Sequence, residues 1–305
     1  DPEPRMSNAH SANSPNDLPQ LMGHPAGLFT LFFAEMWERF SYYGMRALLV
    51  FYMIKGFLGY GDKQAYEVYG AYTALVYATP FIGGMVADRL LGARRSVVLG
   101  GLLMAAGHLL MTVENKYAFF GALALLICGN GFFKPNISTI VGSLYPAGSP
   151  KRDAGFTIFY IGINLGAALA PLLCGYVGET YGWHYGFGLA TIGMLIGLAV
   201  FVAPRGLTQV LIILGALAAA ASMVWVNLGD TLMLAVNAPV GLALLVAAFV
   251  AAFAVGKGGL PDWAGRRPEK VKSRTGEFMV YAGVLLAVPG IALLVSRNTI
   301  AGYVL

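Results

Sequence analysis

The sequence predicts an all-α integral membrane protein with about nine spans, on three observations. Hydrophobic residues make up 57% of the 305 residues and charged residues only 11%, less than half the roughly 25% of a soluble domain. The apolar residues run in continuous blocks rather than alternating, which disfavours a membrane β-barrel. Each block is long enough to cross about 30 Å of hydrocarbon as a helix. Mean hydropathy is +0.67. The only two cysteines, Cys128 and Cys174, both lie inside apolar blocks, which excludes a secreted disulfide scaffold. A disordered chain and a nucleic-acid binder are excluded by the same composition.

Residues 1–27 form a polar tail with five prolines and without the apolar core and cleavage site of a signal peptide. Asp1–Arg5 precede Met6; they are read as a cloning remnant and set aside. Spans follow at about 28–55, 65–90, 95–113, 117–144, 154–179, 184–203, 207–227, 231–256 and 277–296. Arg89, Arg94 and Arg95 follow the second, Lys151 and Arg152 the fourth, and Arg205 the sixth. A basic loop at 257–276 follows the eighth. With Arg5, 13 cations fall on one side and four (Lys55, Lys63, Lys116 and Arg297) on the other. Cytoplasmic loops carry the Lys/Arg excess, so the N-terminus is expected in the cytoplasm. The net charge of +5 is then a consequence of topology and needs no anionic partner.

Three cations remain inside spans: Arg39, Arg46 and Lys134. In the first span Glu35, Glu38, Arg39, Tyr42 and Arg46 stand at i, i+3, i+4, i+7 and i+11, one stripe of a helix. A charge at mid-bilayer costs about 2.5–3.5 kcal/mol on insertion scales. The stripe must therefore face a water-filled cavity or partner charges, and Glu35–Arg39 has the favourable i,i+4 order. Two readings follow. The stripe is a buried ion-pair network that fixes packing, or it is an ion and substrate path in which a carboxylate changes protonation when its partner moves.

Lys134 is followed by Pro135, which removes a backbone donor and is expected to kink the fourth span. The ammonium then either captures a carboxylate or snorkels to the surface. Asn164 in the fifth span is either helix–helix glue or a ligand contact. Tyr66, Tyr69, Tyr72 and Tyr77 lie on the second span, and tyrosines are more often packing than recognition. Tyr77 is the better placed for binding. The four histidines have no metal-site spacing. No phosphate-binding loop and no Ser/His/Asp arrangement is present, so neither an ATP-driven pump nor an enzyme is supported.

Gly84–Arg95 looks like the cytoplasmic loop between helices two and three of major facilitator transporters. Glu35–Gly44 resembles the Glu-x-x-Glu-Arg-Phe-x-Tyr-Tyr-Gly signature of proton-dependent oligopeptide transporters. Phe159–Gly166 resembles that family's Phe-Tyr-x-x-Ile-Asn-x-Gly, and the Phe-Lys-Pro-Asn of span four also matches. Together these cover about residues 28–203. The resemblance implies a six-helix N-terminal bundle at 28–203 and an inserted helical hairpin at 204–256; the basic loop 257–276 and a further span with a truncated end at 277–305 match no placed part of the family. It implies that Glu35, Glu38 and Arg39 couple protons. It also implies that Tyr42, Tyr43, Arg46, Tyr77, Lys134 and Asn164 line a peptide site, with Arg46 and Lys134 on the peptide carboxylate. Asp88, Arg89, Arg94 and Arg95 would latch the cytoplasmic ends. The implied protein is a proton-driven importer of di- and tripeptides in the bacterial inner membrane, with no cofactor beyond the proton gradient. Its partners are peptides, protons, lipid and a second six-helix bundle that this chain does not hold. The charged signature also occurs in relatives that carry nitrate, so an anion cargo stays open, as does a non-transporting peptide-binding module.

Overall fold

A computed structural model describes residues 14–267 and 274–297. Nine long helices follow in order: α1 (Gly27–Lys55), α2 (Asp62–Leu91), α3 (Ala93–Leu110), α4 (Lys116–Ser143), α5 (Lys151–Tyr181), α6 (Trp183–Val202), α7 (Arg205–Val226), α8 (Thr231–Lys257) and α9 (Arg274–Ser296). Each matches a predicted span to within three residues at either end. Seven of them are long and apolar enough to cross a membrane. The other two, α1 and α3, are the ones interrupted by Glu35, Glu38, Arg39 and Arg46, and by Arg94, Arg95 and His108.

Local signals set the ends. Asn115 caps α4, its side chain accepting from the Tyr117 and Ala118 amides at 2.8 and 3.2 Å, and Asp230 caps α8 through the Met233 amide at 3.0 Å; each supplies an acceptor to donors that a helix start leaves unpaired. Gly92 turns the chain between α2 and α3 at φ 79°, and Gly182 between α5 and α6 at φ 122°, conformations that a side chain disfavours. Two π-helical segments were not foreseen: Ala87–Leu91 ends α2, and Pro171–Gly175 lies within α5. Pro135, the residue expected to kink α4, lies inside the continuous helix. Asn136 Nδ2 there donates to the Phe132 carbonyl at 2.7 Å and reaches Gly83 O at 3.5 Å, adding side-chain hydrogen bonds beside the proline.

α1 is the central helix. It packs on α5 and α6, with further contacts to α2, α4 and α8, and buries nearly its whole circumference, the charged stripe included. α4 lies against α2 and α3. The α2–α4 contact is backbone on backbone, since a Cβ on Gly83 would collide with the Gly131 carbonyl. Tyr52, Tyr72, Phe33, Phe40, Phe133 and Phe187 fill the interior. α7 and α8 form the hairpin, docked by Gly215 against the Trp37 ring.

The turns predicted to share one side do meet at one end. Lys151 lies against Gly23, Arg205 against Gly259, and Pro19 against Gly258. In the described part of the tail, a short 3-10 turn at Pro15–Asp17 and a two-residue hairpin, Gln20–Leu21 with His24–Pro25, pack beneath α1. Leu18 and Ala26 are buried there. The Asp1–Arg5 remnant, Lys270 and Lys272 of the basic loop, and the end beyond Arg297 lie outside the described residues.

Candidate functional site

Helical spacing places Glu35 and Arg39 one turn apart, and Arg39 Nε meets Glu35 Oε1 at 3.0 Å. Arg39 also pairs with Glu38, its sequence neighbour, although adjacent helical residues do not ordinarily face each other. All three side chains are buried, at 2%, 0% and 4% exposure for Glu35, Glu38 and Arg39. This part of the stripe therefore meets partner charges rather than open water. The pairing is incomplete. Glu35 Oε2, both Glu38 oxygens and Arg39 Nη2 have no well-aligned hydrogen bond among the described residues. Buried charges left short of donors and acceptors are costly and are a mark of functional sites.

Neighbouring helices complete the arrangement. α5 reaches the α1 backbone at Gly166, where a Cβ would press on Arg39 Cβ at 3.1 Å. Lys134 on α4 acts electrostatically on both Glu35 and Glu38, and its Nζ sits 5.2 Å from the Tyr77 ring centre. Arg39 lies 5.2 Å from the Tyr42 ring, a cation–π distance, and Tyr42 packs edge-on against Tyr43 at 5.2 Å. One turn further on, Arg46 Nε donates to the Tyr69 hydroxyl, with the guanidinium 5.5 Å from that ring. The fields of Arg46, Tyr42 and Tyr77 overlap. Thus α1, α2 and α4 bring Glu35, Glu38, Arg39, Tyr42, Tyr43, Arg46, Tyr77 and Lys134 into one patch, graded from a dry anionic end to an accessible end where Tyr77 is 62% exposed.

Asn164 is not drawn into that patch. It is exposed on α5 and donates to the Tyr160 carbonyl of its own helix at 3.0 Å. The sequence reading did not select Tyr69 as a site residue. The signal was present: Tyr69, Thr73 and Tyr77 stand at i, i+4 and i+8 on α2, one face of a helix. His108 and Asn130, both fully buried without hydrogen-bond partners among the described residues, were also not selected; single polar residues in apolar runs gave no direction.

The residues expected to form a latch are arranged differently from the simple Asp88–Arg pairing. Asp88 and Arg89 are exposed on the π-turn. The Arg94 amide donates to Gly265 O at 2.8 Å, and its guanidinium donates to Pro261 O at 3.1 Å. Arg95 pairs with Glu277, which also accepts from Arg267 at 2.6 Å. Residues 258–267 therefore cross the end of the bundle as a strap and occupy the space beside Arg94 and Arg95.

Residues 94–211 match the sequence profile PTR2, the POT family. A "Di-/tripeptide transporter" of Lactococcus lactis subsp. lactis is 50% identical over 183 residues, 58% of this chain and 37% of that protein. The "Uncharacterized transporter YclF" of Bacillus subtilis is 48% identical over 188 residues, 60% of this chain and 38% of that protein. A mutant of the peptide transporter POT in complex with alafosfalin superposes at TM-score 0.63 with 39% identity, covering 90% of this chain and 48% of that one. A POT family transporter in complex with 5-aminolevulinic acid gives TM-score 0.65 at 31% identity, covering 94% and 50%. The chain spans under two fifths of these curated relatives' length and about half of the solved transporters. Its POT-family likeness is to transporters rather than enzymes.

Proposed function

We propose that this chain forms the first helical bundle of a proton-coupled symporter that imports di- and tripeptides by alternating access. The observation that carries the reading is the buried Glu35–Glu38–Arg39 cluster within reach of the Lys134 field. Two carboxylates and one guanidinium leave a net negative charge in a dry site, and Lys134 neutralises it. When Lys134 turns to a peptide carboxylate, that charge is uncovered, and uptake of one proton restores neutrality. Loss of the proton returns Lys134 to the carboxylates and releases the peptide. Arg46, fixed by Tyr69, supplies the second cation for the peptide carboxylate, while Tyr42, Tyr43 and Tyr77 offer hydroxyls and ring faces. Asp88, Arg89, Arg94 and Arg95 guard one end. Rocking against a second bundle carries the site across the membrane. The excess of cations in one set of loops, 13 against four, supports an N-terminus in the cytoplasm of a bacterium whose inner membrane holds the protein.

The test is dipeptide uptake by the full-length protein in proteoliposomes. Uptake follows an imposed proton gradient and stops when it is collapsed. The Glu38→Gln variant, which keeps size but not charge, loses proton-driven accumulation while retaining peptide exchange between the two sides. Gradient-driven accumulation by Glu38→Gln at the unmodified rate refutes the coupling, and competition by nitrate rather than dipeptide refutes the cargo.

A further inference from the structure

The α7–α8 hairpin opens at the end that carries the Asn227–Asp230 turn. A cavity of about 220 Å³ lies between the helices there, lined by Ala220 and Met223 of α7 and by Leu234, Asn237, Gly241 and Leu245 of α8. It lies where Gly241 faces Ala220, and a Cβ on Gly241 would just reach van der Waals contact with that of Ala220, at 3.9 Å. Pro239 lies within α8 beside it and removes the donor that the Ala235 carbonyl would otherwise meet.

Asn237 is the one polar side chain of this lining. It is 5% exposed, lines the cavity and makes no side-chain hydrogen bond among the described residues. A buried amide without a partner is costly in hydrocarbon. Water is a poor occupant, because beside Asn237 and the Ala235 carbonyl the wall is apolar, which gives the least that a held water needs. The occupant that fits is mostly hydrocarbon with one acceptor.

Depth narrows it. Asn237 lies six residues into α8, about 9 Å along the axis at 1.5 Å per residue. At the same end Trp225 stacks on Tyr181 with ring centres 6.4 Å apart and planes 12° from parallel, and both are half exposed. Such amphipathic rings sit at the headgroup level of a bilayer. An amide about 9 Å below the helix start is then at the level of the acyl ester, just under the headgroups.

We infer that the cleft between α7 and α8 is a binding site for a membrane phospholipid. One acyl chain lies along Ala220, Met223, Gly241 and Leu245, and its ester carbonyl accepts a hydrogen bond from Asn237 Nδ2. The site belongs to the hairpin and does not depend on what the bundle transports.

The test uses the full-length protein in vesicles of phosphatidylethanolamine and phosphatidylglycerol containing a phospholipid with a photoreactive acyl chain. The crosslinked peptides are mapped by mass spectrometry. Label concentrates on residues 220–224 and 234–245 over the equally apolar outer faces at Leu207 and Phe249. An ether-linked probe, which lacks the carbonyl, labels the site roughly tenfold less, the ratio expected when one hydrogen bond to the ligand is lost. Asn237→Leu removes that preference, and Ala220→Leu, which fills the cavity, removes the label while leaving peptide uptake unchanged. Uniform label along the helices, equal label by ester and ether probes, or label on a second copy of the chain at these residues overturns the inference. Should Asn237→Leu fail to fold, the ester-to-ether comparison on the unmodified protein decides alone.

Discussion

Arg46 and Lys134 carry the same charge but stand on different supports. Among the described residues Lys134 rests on the Tyr77 ring and acts electrostatically on Glu35 and Glu38. Arg46 is held by the Tyr69 hydroxyl and ring, which pre-orients a planar donor and reduces what binding must order. Tyr69→Phe keeps the ring and removes the hydroxyl. A hydrogen bond to a charged group is worth about 1.5–3 kcal/mol, so peptide Kd, measured calorimetrically on the full-length protein, rises by at least roughly tenfold while the fold is retained. A second residue-level test concerns His24, whose Nδ1 lies 2.9 Å from the Tyr145 hydroxyl. Burial and the neighbouring Lys151 ammonium hold this imidazole below its ordinary value of 6.5. The unfolded chain therefore binds the proton first, and stability that is complete above about 6.5 falls as pH drops toward the lowered value. In thermal melts between about pH 7.5 and pH 5, His24→Gln loses less than the unmodified protein.

α2 and α4 touch through glycine. With a Cβ on Gly83 aimed at the Gly131 carbonyl, and one on Gly131 meeting Thr79 Cβ at 2.9 Å, neither position tolerates a side chain without the helices separating. Gly83→Ala is expected to destabilise by about 1–3 kcal/mol, the usual cost of overpacking, read as a lower melting temperature. Gly70→Ala, in the same helix with nothing within 4 Å of its Cβ, is neutral or mildly stabilising, because alanine is the better helix former. The contact also reaches the site: Tyr77 and Lys134 are presented by these two helices, so a shift between them separates the ammonium from its ring.

Across the whole chain, the strap 258–267 ties α9 to the end of the bundle. Arg94 holds it through two carbonyls, and Glu277 at the start of α9 gathers Arg95 and Arg267. Arg95 is 55% exposed, and an ion pair so placed is worth about 0.2–1 kcal/mol. Glu277→Gln is therefore expected to leave the helices folded and to loosen the strap, with protease cleavage in 258–267 faster by up to about fivefold.

Much of the site was legible locally. The i,i+4 relation of Glu35 and Arg39 follows from helix geometry alone, as do the nine helices, because hydropathy and length act along the chain. The Glu38–Arg39 pair, the support of Arg46 by Tyr69 and the strap over Arg94 were not legible, because each depends on side-chain direction or on segments brought together by folding. Arg94 and Gly265 are far apart in sequence, and no pattern marks their meeting. The amino-acid order thus determined where helices begin and end, which turns share a side, and that charges lie within spans. Only the tertiary structure decided which of those charges are dry and which are open. Glu38 and Tyr77 are both polar residues inside apolar helices, yet one is sealed and the other exposed. The reason is physical: a helix apolar around most of its circumference carries no phase to say which face is covered, so the neighbours that pack on it choose.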